Sequence, residues 1–182
     1  MFDLSASQIV LLLSLLIYTS ITTWTDAKKH KIYNHTTVSM FVAGWVYQIG
    51  FFGMDGLVNG LLGFAIGFGI FFALWMIGSA GGGDVKLMGG LSVWIGQMLI
   101  LKVILASLIF VILGTFFVLV FGVFNKGLAQ TKKDLAKPKQ KPRNEEEALA
   151  LKAKRRVMPF SASVALGTWC IMLITWQQWT PQ

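Results

Sequence analysis

Six stretches of the chain contain no Asp, Glu, Lys or Arg: residues 4–25, 32–54, 56–83, 87–101, 103–125 and 157–182. A helix crossing roughly 30 Å of hydrocarbon needs about 20 apolar residues. Five of the stretches are long enough, and the fourth, with 15 residues, is not. The pattern predicts an all-α integral membrane protein, a bundle of about six transmembrane helices in a single domain over 1–182. Turns are expected near 26–34, 53–56, 79–86, 97–102 and 126–156. A break near Gly96-Gln97 is preferred to one long helix over 87–124, because the unbroken helix would carry the Lys-rich segment to the opposite side. The first stretch has no Lys or Arg before it and no clear small-x-small cleavage site, so it reads as a helix rather than a cleaved signal.

Composition agrees with lipid as the solvent: 55% of the 182 residues are hydrophobic and only 13% charged. With the expected turns, 15 of the 16 Lys and Arg fall on one side of the membrane. They are Lys28, Lys29 and Lys31, then Lys86, then eleven within 126–156, and only Lys102 lies opposite. Basic residues are retained in the cytoplasm, so the first, third and fifth loops are expected there and both termini outside. The net charge of +8 therefore reflects topology and attraction to anionic lipid headgroups, and no nucleic-acid partner is expected. Within the basic loop, "EEEALALKAKRR" is expected to form a short interfacial helix. The single cysteine, Cys170, allows no internal disulfide, and His30 and His35 lack a metal-binding spacing, so neither metal nor cofactor is expected. Gly56, Gly60, Gly63 and Gly67 recur every three or four residues and mark a face for close helix packing.

Four of the eight acids lie in the basic loop, and Asp3 and Asp55 fall at outer positions. Asp26 and Asp84 remain, separated by two complete spans, so the topology returns both to the same side whichever side that is. The short fourth stretch draws Asp84 below the membrane surface, behind the glycines of "SAGGGDVKLMGG". An ionisable group at that depth is costly and marks a functional site. The bland alternative is that Asp84 simply caps a short helix. Two neighbouring carboxylates share a proton: the charged one activates a water and the protonated one polarises a carbonyl. Glycines ahead of Asp84 would let a substrate strand approach closely.

Three stretches resemble the type IV prepilin peptidases, in that family's order. "GGGDVKLMGGLSVWIG" resembles their GxGD segment, "TDAKKHKIYNHTT" the surroundings of their first catalytic aspartate, and "RRVMPFSASVALG" the Pro-Phe start of their last helix. The resemblance implies Asp26 and Asp84 as the catalytic pair, with Gly81, Gly83, Lys86, Asn34 and Pro159 in substrate-binding or supporting positions. Tyr33 departs from the family's frequent proline. The larger members carry a Cys-x-x-Cys insertion and methylate the new N-terminus. This chain has no such insertion and resembles the short, peptidase-only type of Flp/Tad-like pili, in a bacterial cytoplasmic membrane with the active site facing the cytoplasm. Prepilin-like membrane proteins are then the expected substrates, with lipid as the surroundings and the oligomeric state open. Other readings are an archaeal preflagellin-type peptidase, a silent assembly partner and a small cation or proton carrier. A carrier would place its carboxylates near mid-membrane rather than at helix ends.

Overall fold

The computed structural model describes residues 5–29, 32–126 and 160–175. They form four helical elements: α1 (Ala6–Lys29), α2 (Asn34–Met76), α3 (Gly82–Lys126) and α4 (Phe160–Ile174). The expected six separate helices are thus four continuous elements, two of which break internally. The segment holding 126–156 and the expected interfacial helix lies almost wholly outside the described residues. Three of the elements are long and apolar enough to cross a membrane, and α4 is a shorter apolar helix. Leu13, Ile17, Val46, Ile112 and Phe116 are among the many large apolar side chains left exposed, as expected of a surface solvated by lipid.

Both breaks are at glycine. In α2 it is Gly53, with φ 58° and ψ −132°. In α3 it is Gly96, with φ 75° and ψ 178°. Such backbone is strongly unfavourable with a Cβ. At Gly53 the chain folds back on itself: the rings of Phe41 and Phe64 stand 5.2 Å apart, and Gly56 and Gly60 pack against Gln48. At Gly96 the backbone groups released by the break find side-chain partners. The Gln48 amide donates to the Val93 and Trp94 carbonyls at 2.8 and 3.4 Å, and the Asn59 Oδ1 accepts from Gln97 N–H at 3.1 Å. Broken backbone at membrane depth is tolerated where protein satisfies it in this way. The break expected near Gly96-Gln97 is present, but it takes one residue, and the helix resumes through the expected turn at 97–102.

The first limb of α3 is the centre of the bundle. Every residue from 84 to 95 except Lys86 is buried. A helix apolar on all sides belongs inside. Around it, α1 presents one stripe, Ser7, Leu11, Leu15, Tyr18, Thr22 and Asp26, each three or four residues from the last. The Gly56, Gly60, Gly63 and Gly67 stripe of α2 faces inward as expected: a Cβ at Gly63 would lie 2.6 Å from the Ser92 carbonyl oxygen. Buried polar tips are anchored. Tyr47 stacks on Trp94 with centroids 5.0 Å apart and donates to Ser7 O at 3.2 Å, while Trp94 donates to Met40 O at 2.7 Å.

Helix ends also differ from expectation. The loop expected at 79–86 is shorter and earlier. α2 ends in a Schellman motif, with Gly78 N–H donating to Trp75 O and Ser79 N–H to Leu74 O, both at 2.9 Å, and α3 has begun by Gly82. Asp26 likewise sits inside α1, one turn before its end, rather than in a turn.

Candidate active site

Asp26 closes the inward stripe of α1 and is 1% exposed. Burial of a carboxylate requires hydrogen-bond donors. Ser161, in the first turn of α4, supplies two to the same oxygen: its hydroxyl to Oδ2 at 2.7 Å and its backbone N–H at 3.4 Å. Asp84 lies in the first turn of α3 and is 7% exposed. Its Oδ2 accepts from Gly81 N–H at 3.0 Å, and its own N–H donates to Gly81 O at 2.9 Å. This is the acidic half of a capping box, with Gly81 just outside the helix and the carboxylate reaching back. The capping role weighed from the sequence is therefore present, on a side chain that is also buried.

Two contacts bracket the acids. On one side, the Tyr18 hydroxyl donates to Leu87 O at 3.1 Å. On the other, Ile32, three residues beyond the end of α1, lies against Gly83, where a Cβ would meet its side chain at 3.5 Å. Asp26 falls between Tyr18 and Ile32 along one segment, and Asp84 between Gly83 and Leu87 along the other. The chain thus carries both carboxylates, buried, to the same end of the bundle.

The supporting residues named from the sequence come partly together. Gly81 binds Asp84, and Gly83 is the close approach to Ile32. Lys86 and Asn34 meet: the ammonium donates to Asn34 Oδ1 at 2.8 Å, tying the start of α2 to the first turns of α3. Because residues 84–86 are helical, Lys86 points away from Asp84 and out of the core. Pro159 lies outside the described residues. Beside this end opens a groove of about 200 Å³ walled by Val38, Phe41, Phe64, Phe68 and Gly89, with Lys86 in its lining. Nearby, Lys28 stacks over the exposed Trp24 ring at 3.8 Å. No group of three or more His, Cys, Asp or Glu able to hold a metal ion occurs among the described residues.

Ser161 is the site residue that sequence reasoning missed. It stands in the quoted "RRVMPFSASVALG", and its only signal was a small polar residue at the start of an apolar stretch.

Apolar helices around two buried carboxylates, one near the end of α1 and one at the glycine-rich start of α3, define a membrane-embedded protein with an acidic site. The model of the type IV leader peptidase family matches residues 10–124, which include Asp26, Asn34, the Gly81–Asp84 segment and Lys86, and the chain belongs to that family. It is a family of peptidases. No curated protein and no solved structure matches the chain.

Proposed function

We propose that the chain is an intramembrane aspartic endopeptidase that removes the short basic leader from prepilin-like precursors at the cytoplasmic membrane face. The observation that carries this reading is the bracketed pair of buried acids at one bundle end, in a chain of the leader peptidase family. Asp26 and Asp84 act as one unit. The charged carboxylate takes a proton from water as it attacks the scissile carbonyl. The protonated carboxylate donates to the carbonyl oxygen. As the C–N bond then breaks and the carbonyl reforms, the proton taken from water passes to the leaving amine and the tetrahedral hydroxyl returns its proton to the second carboxylate. Both acids emerge from the cycle in their starting states, and no covalent intermediate is needed.

In this reading α1, the two limbs of α2, the two limbs of α3 and α4 are six spans, with both termini outside. That orientation brings Lys28, Lys29, Lys31, Lys86 and the basic segment into the cytoplasm. The apolar groove beside Lys86 suits the apolar helix that follows a leader. The same site chemistry would serve an archaeal preflagellin, so the substrate distinguishes these two variants of one activity.

The test is co-expression with a prepilin-like substrate in a host lacking other processing enzymes, followed by mass spectrometry of the product. The expected product lacks its basic leader and carries an unmethylated N-terminus. Uncut precursor in the presence of correctly inserted protein would rule the activity out. An added methyl group would rule out the peptidase-only form.

A further inference from the structure

We propose that Ser161 is a positioning residue for Asp26, its hydroxyl holding one carboxylate oxygen so that the other is aimed for the reaction. The inference rests on the dyad reading above. Ser161 is 1% exposed, and its hydroxyl reaches Asp26 Oδ2 across 135 residues of sequence.

Other buried hydroxyls show what an ordinary one does in this bundle. Thr19, Thr22, Ser107 and Thr168 each donate to the carbonyl four residues back in their own helix, at 2.6–2.7 Å. Those bonds satisfy the hydroxyl locally and ask nothing of another element. Ser161 instead gives its hydroxyl to an acid on α1. Capping does not explain this choice. A carboxylate caps α4 through backbone N–H groups, and the Ser161 N–H already supplies that contact at 3.4 Å. The hydroxyl bond is the shorter one, at 2.7 Å, and it leaves α4 no better capped. Its effect falls on Asp26.

Two properties make a hydroxyl suitable. A donor on Oδ2 restricts rotation of the carboxyl group, and a reacting group must be held closely in place for full rate. A hydroxyl is also both donor and acceptor, so it can stay bonded whether or not Asp26 carries the proton at a given step. An amide N–H cannot accept in return. Ser161 thereby gives α4 a part in the reaction cycle, although it lies outside the matched span of residues 10–124.

The experiment measures leader cleavage by the full-length protein in detergent, with rates referred to folded protein, for Ser161→Ala, Ser161→Thr and Asp26→Asn. The expected result for Ser161→Ala is a fall in kcat of roughly ten- to hundredfold, the loss of one hydrogen bond to a charged group, with KM unchanged. Ser161→Thr, which keeps the hydroxyl, restores most of the rate. A wild-type kcat in folded Ser161→Ala, or a loss confined to KM, overturns the proposal. If the Ala variant does not fold, Ser161→Cys, close in size with a weak donor, is judged by the same criteria. The Asp26→Asn arm separates the two claims. An inactive Asp26→Asn beside a fully active Ser161→Ala defeats only the positioning role, whereas cleavage by Asp26→Asn defeats the dyad itself.

Discussion

Tyr18 and Lys86 sit within two turns of the acids, and their surroundings separate what each does. The Tyr18 hydroxyl is buried and ties α1 to the Leu87 carbonyl of the central helix, and a Cβ at Gly90 would come within 2.7 Å of that hydroxyl. Tyr18→Phe removes one buried hydrogen bond while keeping the ring. It is expected to cost about 1 kcal/mol of stability, seen as a lower thermal midpoint in detergent, with slower cleavage as the bracket around the acids loosens. Lys86 is exposed and bonded to Asn34. Lys86→Gln retains a donor for Asn34 and loses only the charge. Cleavage at normal membrane levels is expected to stay within about fivefold of wild type, because an exposed contact of this kind contributes about 1 kcal/mol or less. A rate near background would instead make Lys86 part of the reacting centre. The two-residue spacing on a helix sets Lys86 on nearly the opposite face from Asp84. It could not reveal Asn34 as the partner, which comes 52 residues earlier.

At the scale of the element, the two glycine breaks differ in what surrounds them. A Cβ at Gly53 would meet nothing within 4 Å, so Gly53→Ala bears only backbone strain of roughly 1–3 kcal/mol. A Cβ at Gly96 would collide with the Asn59 side chain, which holds the Gln97 N–H in place. Gly96→Ala is therefore expected to be the more damaging, with a lower thermal midpoint and less protein in the membrane than Gly53→Ala. Equal midpoints would show that the Gln48 and Asn59 bonds around Gly96 are dispensable. Both breaks were legible for different reasons: the uncharged stretches on either side of Asp55 called for a turn at 53–56, and the side required for the Lys-rich segment called for a break near Gly96. Helix starts were less legible. A run of glycines looked like loop, yet Gly82 and Gly83 are helical, because Asp84 reaches back to Gly81 N–H and the bundle covers Gly83 with Ile32. Local propensity was overridden by a cap and by packing.

For the whole molecule, spacing identified the inward glycine stripe of α2, but not the inward stripe ending at Asp26, the buried centre around 84–95, or which helices adjoin. The α1–α4 contact through Ser161 joins residues 135 apart, a pairing that no local pattern announces. The proposed topology has its own test. Single cysteines placed in a Cys170→Ser background are expected to react with an impermeant maleimide from the cytoplasmic side within 127–156, and from the outer side near Asp55. Labelling of both regions from one side would break the six-span arrangement. The central claim is that Asp26 and Asp84 form one catalytic unit. Its most direct test is the cleavage rate of a purified prepilin by reconstituted wild type, Asp26→Asn, Asp84→Asn and the double variant. Each single variant should insert normally and fall to background, and the double variant should be no worse than either, since a dyad fails as a whole. Wild-type processing by either properly inserted single variant would contradict the account.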